Sequence, residues 1–426
     1  MNREKGGQSQ KPNFHSYTKT SIARWLRLCK LTPLLVLLTG CDQLIDQTYY
    51  LWQLAGGLLS IVAKQQSLQS VLDDPEVDEE TKAKLQLVVE LRDYANTELE
   101  LPVGNNYSTY VDLGREAALW NIFATPELSM EAKRWCQPIL GCVEYRGYFK
   151  EQDALNYEEK LEAQGYDTSV VGVNAFSTLG MIADPIFNTF IKYSDMNLAG
   201  LIFHELSHKV LFAPGDSTFN DCFAMTVEIE ALSRWSESRG DTEEYNRYLL
   251  FRDFKEEYSA IMLIYRDRLN ELYNGTLSDI EKRTQKSVIL DEFLADYQDF
   301  KDRWAEQGIN ARTITSVNNA FFARIATYHS LIPKLQEILN VLDKDLPAFY
   351  DVCILLEALD FEERNSLLVQ SAADIITTLG YQTSSAGITA EQGTTRAKHS
   401  EIILTQTSAK QVPLHSCSPD LYQTGP

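Results

Sequence analysis

His204-Glu205-Leu206-Ser207-His208 is the run whose residue types and spacing suit chemistry. Histidines four apart lie on one face of an α-helix, where both imidazoles can hold one zinc ion. A glutamate beside them can take a proton from a metal-polarised water, which then attacks a carbonyl. The opposing reading is a solvated helix face that happens to carry these residues. Leu198, Leu201, Ile202 and Leu206 give the segment an apolar face, so it packs into a core. Buried histidines need partners, and a metal supplies one.

A catalytic zinc site needs a third protein ligand and leaves the fourth position for water. Ala213-Pro214-Gly215-Asp216 breaks the helical pattern, and a second helix is expected from about residue 217 to 238. Its return brings Asp221, in the first turn, back toward the histidines. Asp221 is the preferred ligand. Glu228, two turns further on the same face, is the alternative ligand or a carboxylate that orients a histidine.

The elements that must position these groups are mostly helical. Residues 42–75 read as helix, weakened by Gly56 and Gly57. Residues 78–100 form an amphipathic helix with Leu87, Val88, Leu91, Tyr94 and Ala95 inward. Residues 143–149 and 170–180 are strand-like, with a short charged helix over 154–164 between them. Asp184-Pro185 marks a turn, and residues 198–212 form the helix of the histidines. From 243 to about 375 the pattern is helical, interrupted near Gly275, Gly308 and Pro333. The expected class is α+β, predominantly α-helical, with a small β-sheet and a C-terminal helical region.

The composition is that of a globular chain of 426 residues, but its net charge of −21 repels nucleic-acid phosphates. No basic stripe interleaved with aromatics offsets that, so nucleic acid is set aside as a partner. Residues 1–30 are polar and basic. Leu34-Leu35-Val36-Leu37-Leu38 follows, too short to span a bilayer, and then Thr39-Gly40-Cys41. This pattern predicts an export signal over residues 1–40. Leu38-Thr39-Gly40-Cys41 also resembles a bacterial lipobox, which would make Cys41 the site of a lipid that holds the protein to a membrane. The other reading is a simple anchor with an incidental cysteine. Asp42 resembles an inner-membrane retention signal, so the expected address is the periplasmic face of that membrane. In that oxidising space Cys136 and Cys142 can close a small disulfide loop, with unpaired thiols as the alternative. Residues 41–380 are expected to form one catalytic domain, and 381–426, rich in Ser, Thr, Gln and Gly, a disordered tail.

These motifs have a family likeness. His204-Glu205-Leu206-Ser207-His208, Phe219-Asn220-Asp221-Cys222-Phe223-Ala224 and Val227-Glu228 resemble the bacterial predicted-aminopeptidase family. Trp135-Cys136, Gly141-Cys142, Tyr145-Arg146-Gly147-Tyr148-Phe149, Ala175-Phe176-Ser177-Thr178-Leu179-Gly180, Asp184-Pro185, Asn318-Asn319-Ala320 and Tyr328 extend the likeness over roughly residues 42–375. That family is a gluzincin-like group of metallopeptidases, often lipoproteins. The resemblance implies zincin-like active-site helices, a bound Zn2+ and a peptide substrate. The family carries glutamate where this chain has Asp221, one methylene shorter. Either the second helix sits nearer, or a water or Glu228 fills the gap, or metal affinity is reduced.

Residues 172–180, including Ser177 and Thr178, can be an edge strand that pairs with substrate backbone, or an ordinary sheet edge. Tyr328, Tyr145 or Tyr148 can donate to an oxyanion, or serve as core aromatics. Arg146 can bind a substrate carboxylate or pair with an internal acid. Glu144, Glu228 and Glu230 are candidates to hold a free amino terminus. The sequence therefore points to a zinc-dependent peptidase, with Glu205 as base and aminopeptidase activity implied by the resemblance. The alternatives are a zinc amidase or endopeptidase of the cell envelope, and a non-catalytic lipoprotein scaffold weakened at Asp221.

Overall fold

The structure, a computed structural model, describes residues 46–137, 141–176, 183–324 and 331–381. The chain forms two units, Met1–Leu59 and Ser60–Pro426. The signal segment, Cys41, Ser177, Thr178, Tyr328 and the tail beyond residue 381 lie outside the described residues. Among the described residues, no helix is long and apolar enough to cross a membrane.

Helix α1 spans residues 46–64 and runs through Gly56 and Gly57. It ends before β1 (Gln66–Ser67) and the short α2 (Leu68–Leu72), so the single helix expected over 42–75 is divided. Helix α3 (Glu79–Thr97) starts at Asp78, whose carboxylate accepts from the Thr81 amide at 2.8 Å. It buries Leu85, Leu87, Val88, Leu91 and Ala95.

Strand β2 (Thr109–Val111) joins β1 antiparallel and β8 (Ile186–Phe187) parallel. A second sheet is built on β3 (Leu119–Pro126). It pairs antiparallel with β6 (Arg146–Tyr148) and, over its full length, with β7 (Tyr166–Val173), from Leu119↔Val173 to Pro126↔Tyr166. The order β6-β3-β7 leaves β7 at an edge. Strands β4 (Trp135–Gln137) and β5 (Gly141–Val143) form a hairpin in which Cys136 faces Cys142, and their sulfurs are bonded. Helix α4 (Glu151–Glu162) crosses from β6 to β7 and packs on the sheet.

Helices α5 (Asp195–Ser207) and α6 (Ser217–Arg239) form the central antiparallel pair. Helix α5 stops five residues before the Phe212 end expected from sequence. The chain leaves the helix in a turn at His208–Val210, ahead of Pro214, which disfavours helical backbone in the residue before it. Gly215 takes φ +82°, conformational space that side-chain-bearing residues avoid, and Asp216 then caps α6 through the Phe219 amide at 3.0 Å.

Helices α7 (Thr242–Asn274) and α8 (Asp279–Glu306) make a long hairpin, with α7 about 50 Å in length. Phe251, Phe254, Tyr258, then Met262, Tyr265, Leu269, then Tyr273 repeat every 11 residues along α7 and interlock with Ile289, Phe293, Tyr297, Phe300 and Trp304 of α8. That period stays close to the natural winding of a helix, so the two helices need little supercoil. Glu257–Arg303 and Arg268–Glu292 pairs fix the antiparallel register.

The short α9 (Asn319–Ala323) ties hairpin to sheet. Asn319 is fully buried. Its Nδ2 donates to the carbonyls of Pro126, Glu127 and Ser129, and its Oδ1 accepts from Tyr273. Asn318 caps α9 and donates to the Thr168 carbonyl. Helices α10 (Ile332–Val341), α11 (Leu346–Glu357), α12 (Phe361–Leu368) and α13 (Ala372–Thr378) complete the described chain. The interruption expected near Pro333 falls between α9 and α10, and Pro333 itself occupies the first turn of α10, where a missing N–H costs no bond. The class is α+β and predominantly helical.

Candidate metal centre

His204 sits in the last turn of α5, and His208 is its C-cap, still with helical backbone. Their rings lie 5.0 Å apart, nearly perpendicular. Asp221, in the first turns of α6, brings its Oδ1 to 3.5 Å from His208 Nε2. The ligand atoms of His204, His208 and Asp221 all lie within 4.8 Å of one another.

Three features hold this geometry. Lys84 of α3 pins the start of α5 through Asp195 Oδ1 at 2.6 Å and the Tyr193 carbonyl at 2.7 Å. Asn220 clasps the backbone of Ala213, accepting from its N–H at 2.7 Å and donating to its carbonyl at 2.9 Å, which sets the loop between the two helices. Gly200 faces α6 so closely that a Cβ there would lie 2.9 Å from Glu228 Oε1 and 3.3 Å from Leu232 Cδ1. The aspartate therefore reaches the histidines because the second helix is close.

Glu228 is 1% exposed. It accepts from His204 Nδ1 at 3.0 Å and from the Tyr248 hydroxyl of α7 at 2.7 Å. A carboxylate can only accept here, so the proton is on Nδ1 and Nε2 is left for the site. Burial works to raise the Glu228 pKa. The hydrogen bond and charge of His204, the charge of buried Lys255 and the Tyr248 bond outweigh it and hold it below the ordinary value. Burial works to lower His204, but Glu228, Glu205 and Asp221 together lift it to about 9. Burial pushes Asp221 up to about 6, against the charge of His204.

Two imidazoles and a carboxylate are a donor set zinc accepts. Bonds of ~2.0–2.1 Å at tetrahedral angles put ligand atoms about 3.3 Å apart. The 3.5 Å His208–Asp221 separation is close to that, and the wider pairs need to close by no more than about 1.5 Å. The residues present therefore fit the ion.

Glu205 lines a pocket with Tyr107, Ala175, Phe176, Asp184, Pro185, Phe187, Phe190 and Leu201. Ala175 and Phe176 follow β7, which ends at Val173, so the described part of the edge strand expected over 172–180 stops short of this pocket. The other expected residues lie elsewhere or are engaged. Arg146 is 3% exposed, with its guanidinium 4.2 Å from the Tyr157 ring centroid and 5.6 Å from that of Tyr148. Tyr145 packs against Phe123. Glu230 is bound by Arg234 and Lys344 at 2.8 and 3.1 Å, and Glu144 is exposed in the turn between β5 and β6.

Sequence reasoning missed Tyr248, Lys255 and Gly200. The two α7 residues carry no local signal, since they meet Glu228 only through tertiary packing. Gly200 did carry one: a glycine inside a strongly helical, apolar segment marks close approach of another element. Also missed was the anchor of α6. Arg364 of α12, almost wholly buried, reaches Asp216 Oδ2 at 2.9 Å through Nη2 and donates through Nη1 to the carbonyls of Leu356, Glu357 and Leu359. Phe219 lies beneath that guanidinium.

A predominantly helical α+β chain with a two-histidine, one-carboxylate cluster on paired helices is the class that fold and site define. The family model described as "Putative aminopeptidase" matches residues 49–368, and the chain belongs to that family. No curated protein and no solved structure matches it.

Proposed function

We propose that this chain is a zinc-dependent aminopeptidase. The observation that carries the reading is the convergence of His204, His208 and Asp221 within 4.8 Å, with Glu205 on the same helix. A zinc ion there would supply Lewis acidity toward a carbonyl and make a water easier to deprotonate. Glu205 takes that proton and returns it to the departing amine. Glu228 keeps the Nδ1 proton on His204 and so fixes which nitrogen faces the site. Strand β7 is terminal in its sheet, and a peptide could add to such an edge beyond the Thr168 carbonyl that Asn318 already holds.

Membership of the family supports the peptidase class, and the aminopeptidase label rests on it. We place the enzyme in the cell envelope, lipidated at Cys41 and facing the periplasm, on the strength of the N-terminal signal pattern alone. The Cys136–Cys142 disulfide agrees with an oxidising compartment.

The test is metal content and hydrolysis of the purified full chain beside Glu205→Gln and His208→Ala. The expected result is about one zinc per chain, kept in Glu205→Gln while hydrolysis disappears, and lost in His208→Ala. Zinc far below one equivalent in the parent chain overturns the reading. Peptides with acetylated N-termini cleaved as fast as free ones would remove the aminopeptidase label.

A further inference from the structure

Helix α1 is largely apolar on all sides, yet one side of it is uncovered. Between Asp46 at its start and Lys64 at its end it carries no charged residue. Tyr50 and Ile61, three helical turns apart on one face, are buried. Leu51, Trp52, Leu59 and Val62 lie on the other side and are exposed, Trp52 at 74% and Leu59 at 69%. Ala55, between them, is exposed as well. Positions 51, 52, 55, 59 and 62 recur at helical spacing, so these five side chains form one stripe about 100° wide.

A single apolar residue on a surface needs no explanation, but a continuous stripe on a helix without charges does. The position of α1 in the chain says what covers it. Cys41, the proposed lipid site, is five residues before Asp46, a reach of at most about 18 Å. An acyl chain attached there holds the start of α1 at the bilayer surface. Among the described residues no helix is long and apolar enough to cross a membrane, so α1 would lie in the plane of the interface. Tryptophan is a favoured side chain at that depth, and a stripe without charge meets acyl chains with no ion to desolvate.

We propose that the exposed stripe of α1 is a lipid-binding surface that inserts into the bilayer interface as a second anchor beside the lipid. The inference rests on the envelope reading for the nearness of a membrane, but the stripe makes its own contact with acyl chains.

Its test mixes the full chain, as the parent and as Cys41→Ser, with vesicles of phosphatidylethanolamine and phosphatidylglycerol, some carrying brominated acyl chains that quench tryptophan on contact. Quenching is expected with both proteins and should disappear in Trp52→Phe, while vesicle binding by that variant stays within about threefold, since an apolar ring remains. Trp52→Lys with Leu59→Lys, checked for an unchanged melting transition, should lower vesicle partitioning of the Cys41→Ser chain at least tenfold, roughly the effect of keeping two large apolar side chains in water. Quenching that Trp52→Phe leaves unaltered, or equal partitioning of the double variant, overturns the inference. So does a dimer that the double variant makes monomeric with no change in vesicle binding, because a second copy would then be the cover. Mass spectrometry of the parent from a bacterial host tests the lipid separately. If Cys41 carries none, the lipidation reading falls by itself, and the stripe stands or falls on the quenching of Trp52.

Discussion

Glu228 Oε2 lies 3.0 Å from His204 Nδ1, and the second oxygen of the same carboxylate accepts from Tyr248. A helix outside the histidine motif therefore helps to orient a candidate metal ligand. Removing such a partner elsewhere costs about 10–100-fold in metal affinity. Glu228→Ala should lose affinity in that range by chelator competition and should also destabilise the protein, because buried Lys255 loses its counter-charge. Tyr248→Phe should cost less, on the order of three- to tenfold, since the carboxylate still reaches His204. Unchanged metal affinity in both variants would mean that the contact does not organise the site.

The metal-free protein should respond to pH in a defined direction. His204 is lifted from 6.5 to about 9 by Glu228 and its neighbours, despite burial. A raised folded-state pKa stabilises the fold fully below the unfolded value, and that stabilisation is lost as pH rises through the folded value. Asp221, raised by burial from 3.8 to about 6, acts in the same direction at lower pH. Thermal midpoints of the metal-free chain should therefore fall between pH 6.5 and 9, while zinc, competing with the His204 proton, binds more tightly over the same window. A midpoint that rises over that interval would contradict the assigned pairing.

Gly200→Ala probes how close the two site helices must be. The added Cβ would meet Glu228 Oε1 at 2.9 Å and Leu232 Cδ1 at 3.3 Å, inside a packed helix pair. Alanine normally favours helix by up to about 1 kcal/mol over glycine. Overpacking of a core costs roughly 1–3 kcal/mol and should win here. The expected outcome in chemical denaturation is net destabilisation, with weaker metal binding as Glu228 is displaced. A stabilised variant would show that the helices separate freely.

How much of this was legible depends on whether a signal is local. The α5–α6 pair was readable because its parts sit within 45 residues: an apolar helical face, the Pro214-Gly215 break and a carboxylate early in the next helix, which the structure puts just past the first turn expected for it. Strand β3 was not readable. It is buried on both faces, so its side chains do not alternate, and its partner β7 begins 40 residues later. Asn318 and Asn319 stood out only through resemblance; their work, joining the Tyr166–Val173 strand and the segment after β3 to the hairpin, exists only in three dimensions. Arg364 likewise reads as one more charge on a polar helix, yet it reaches back 148 residues to Asp216.

That Arg364–Asp216 pair is the clearest test of how the C-terminal helices serve the site. Asp216 both caps α6 and receives the guanidinium, and both side chains are buried. Arg364→Ala strands a buried carboxylate and frees three carbonyls, which should cost about 3–5 kcal/mol in denaturant titration. Arg364→Met with Asp216→Asn removes both charges and should recover part of that loss, since the amide can still cap the helix. A loss below about 1 kcal/mol in the single variant would place the pair among solvent-exposed ones.

Asp221 remains the residue on which the chemistry turns. Its Oδ1 is already 3.5 Å from His208 Nε2, near a tetrahedral edge. Asp221→Glu would carry the carboxylate about 1.5 Å further, past that position, unless α6 moved away from α5. The His204–Glu228 hydrogen bond between the two helices opposes such movement. The longer acid, which the resemblance led one to expect here, should therefore weaken zinc binding by roughly tenfold rather than strengthen the site. Asp221→Asn removes the charge and should weaken binding further. Titration of the three proteins against a zinc chelator orders them, and tighter binding by Asp221→Glu than by the parent would show that the aspartate is a compromised ligand after all.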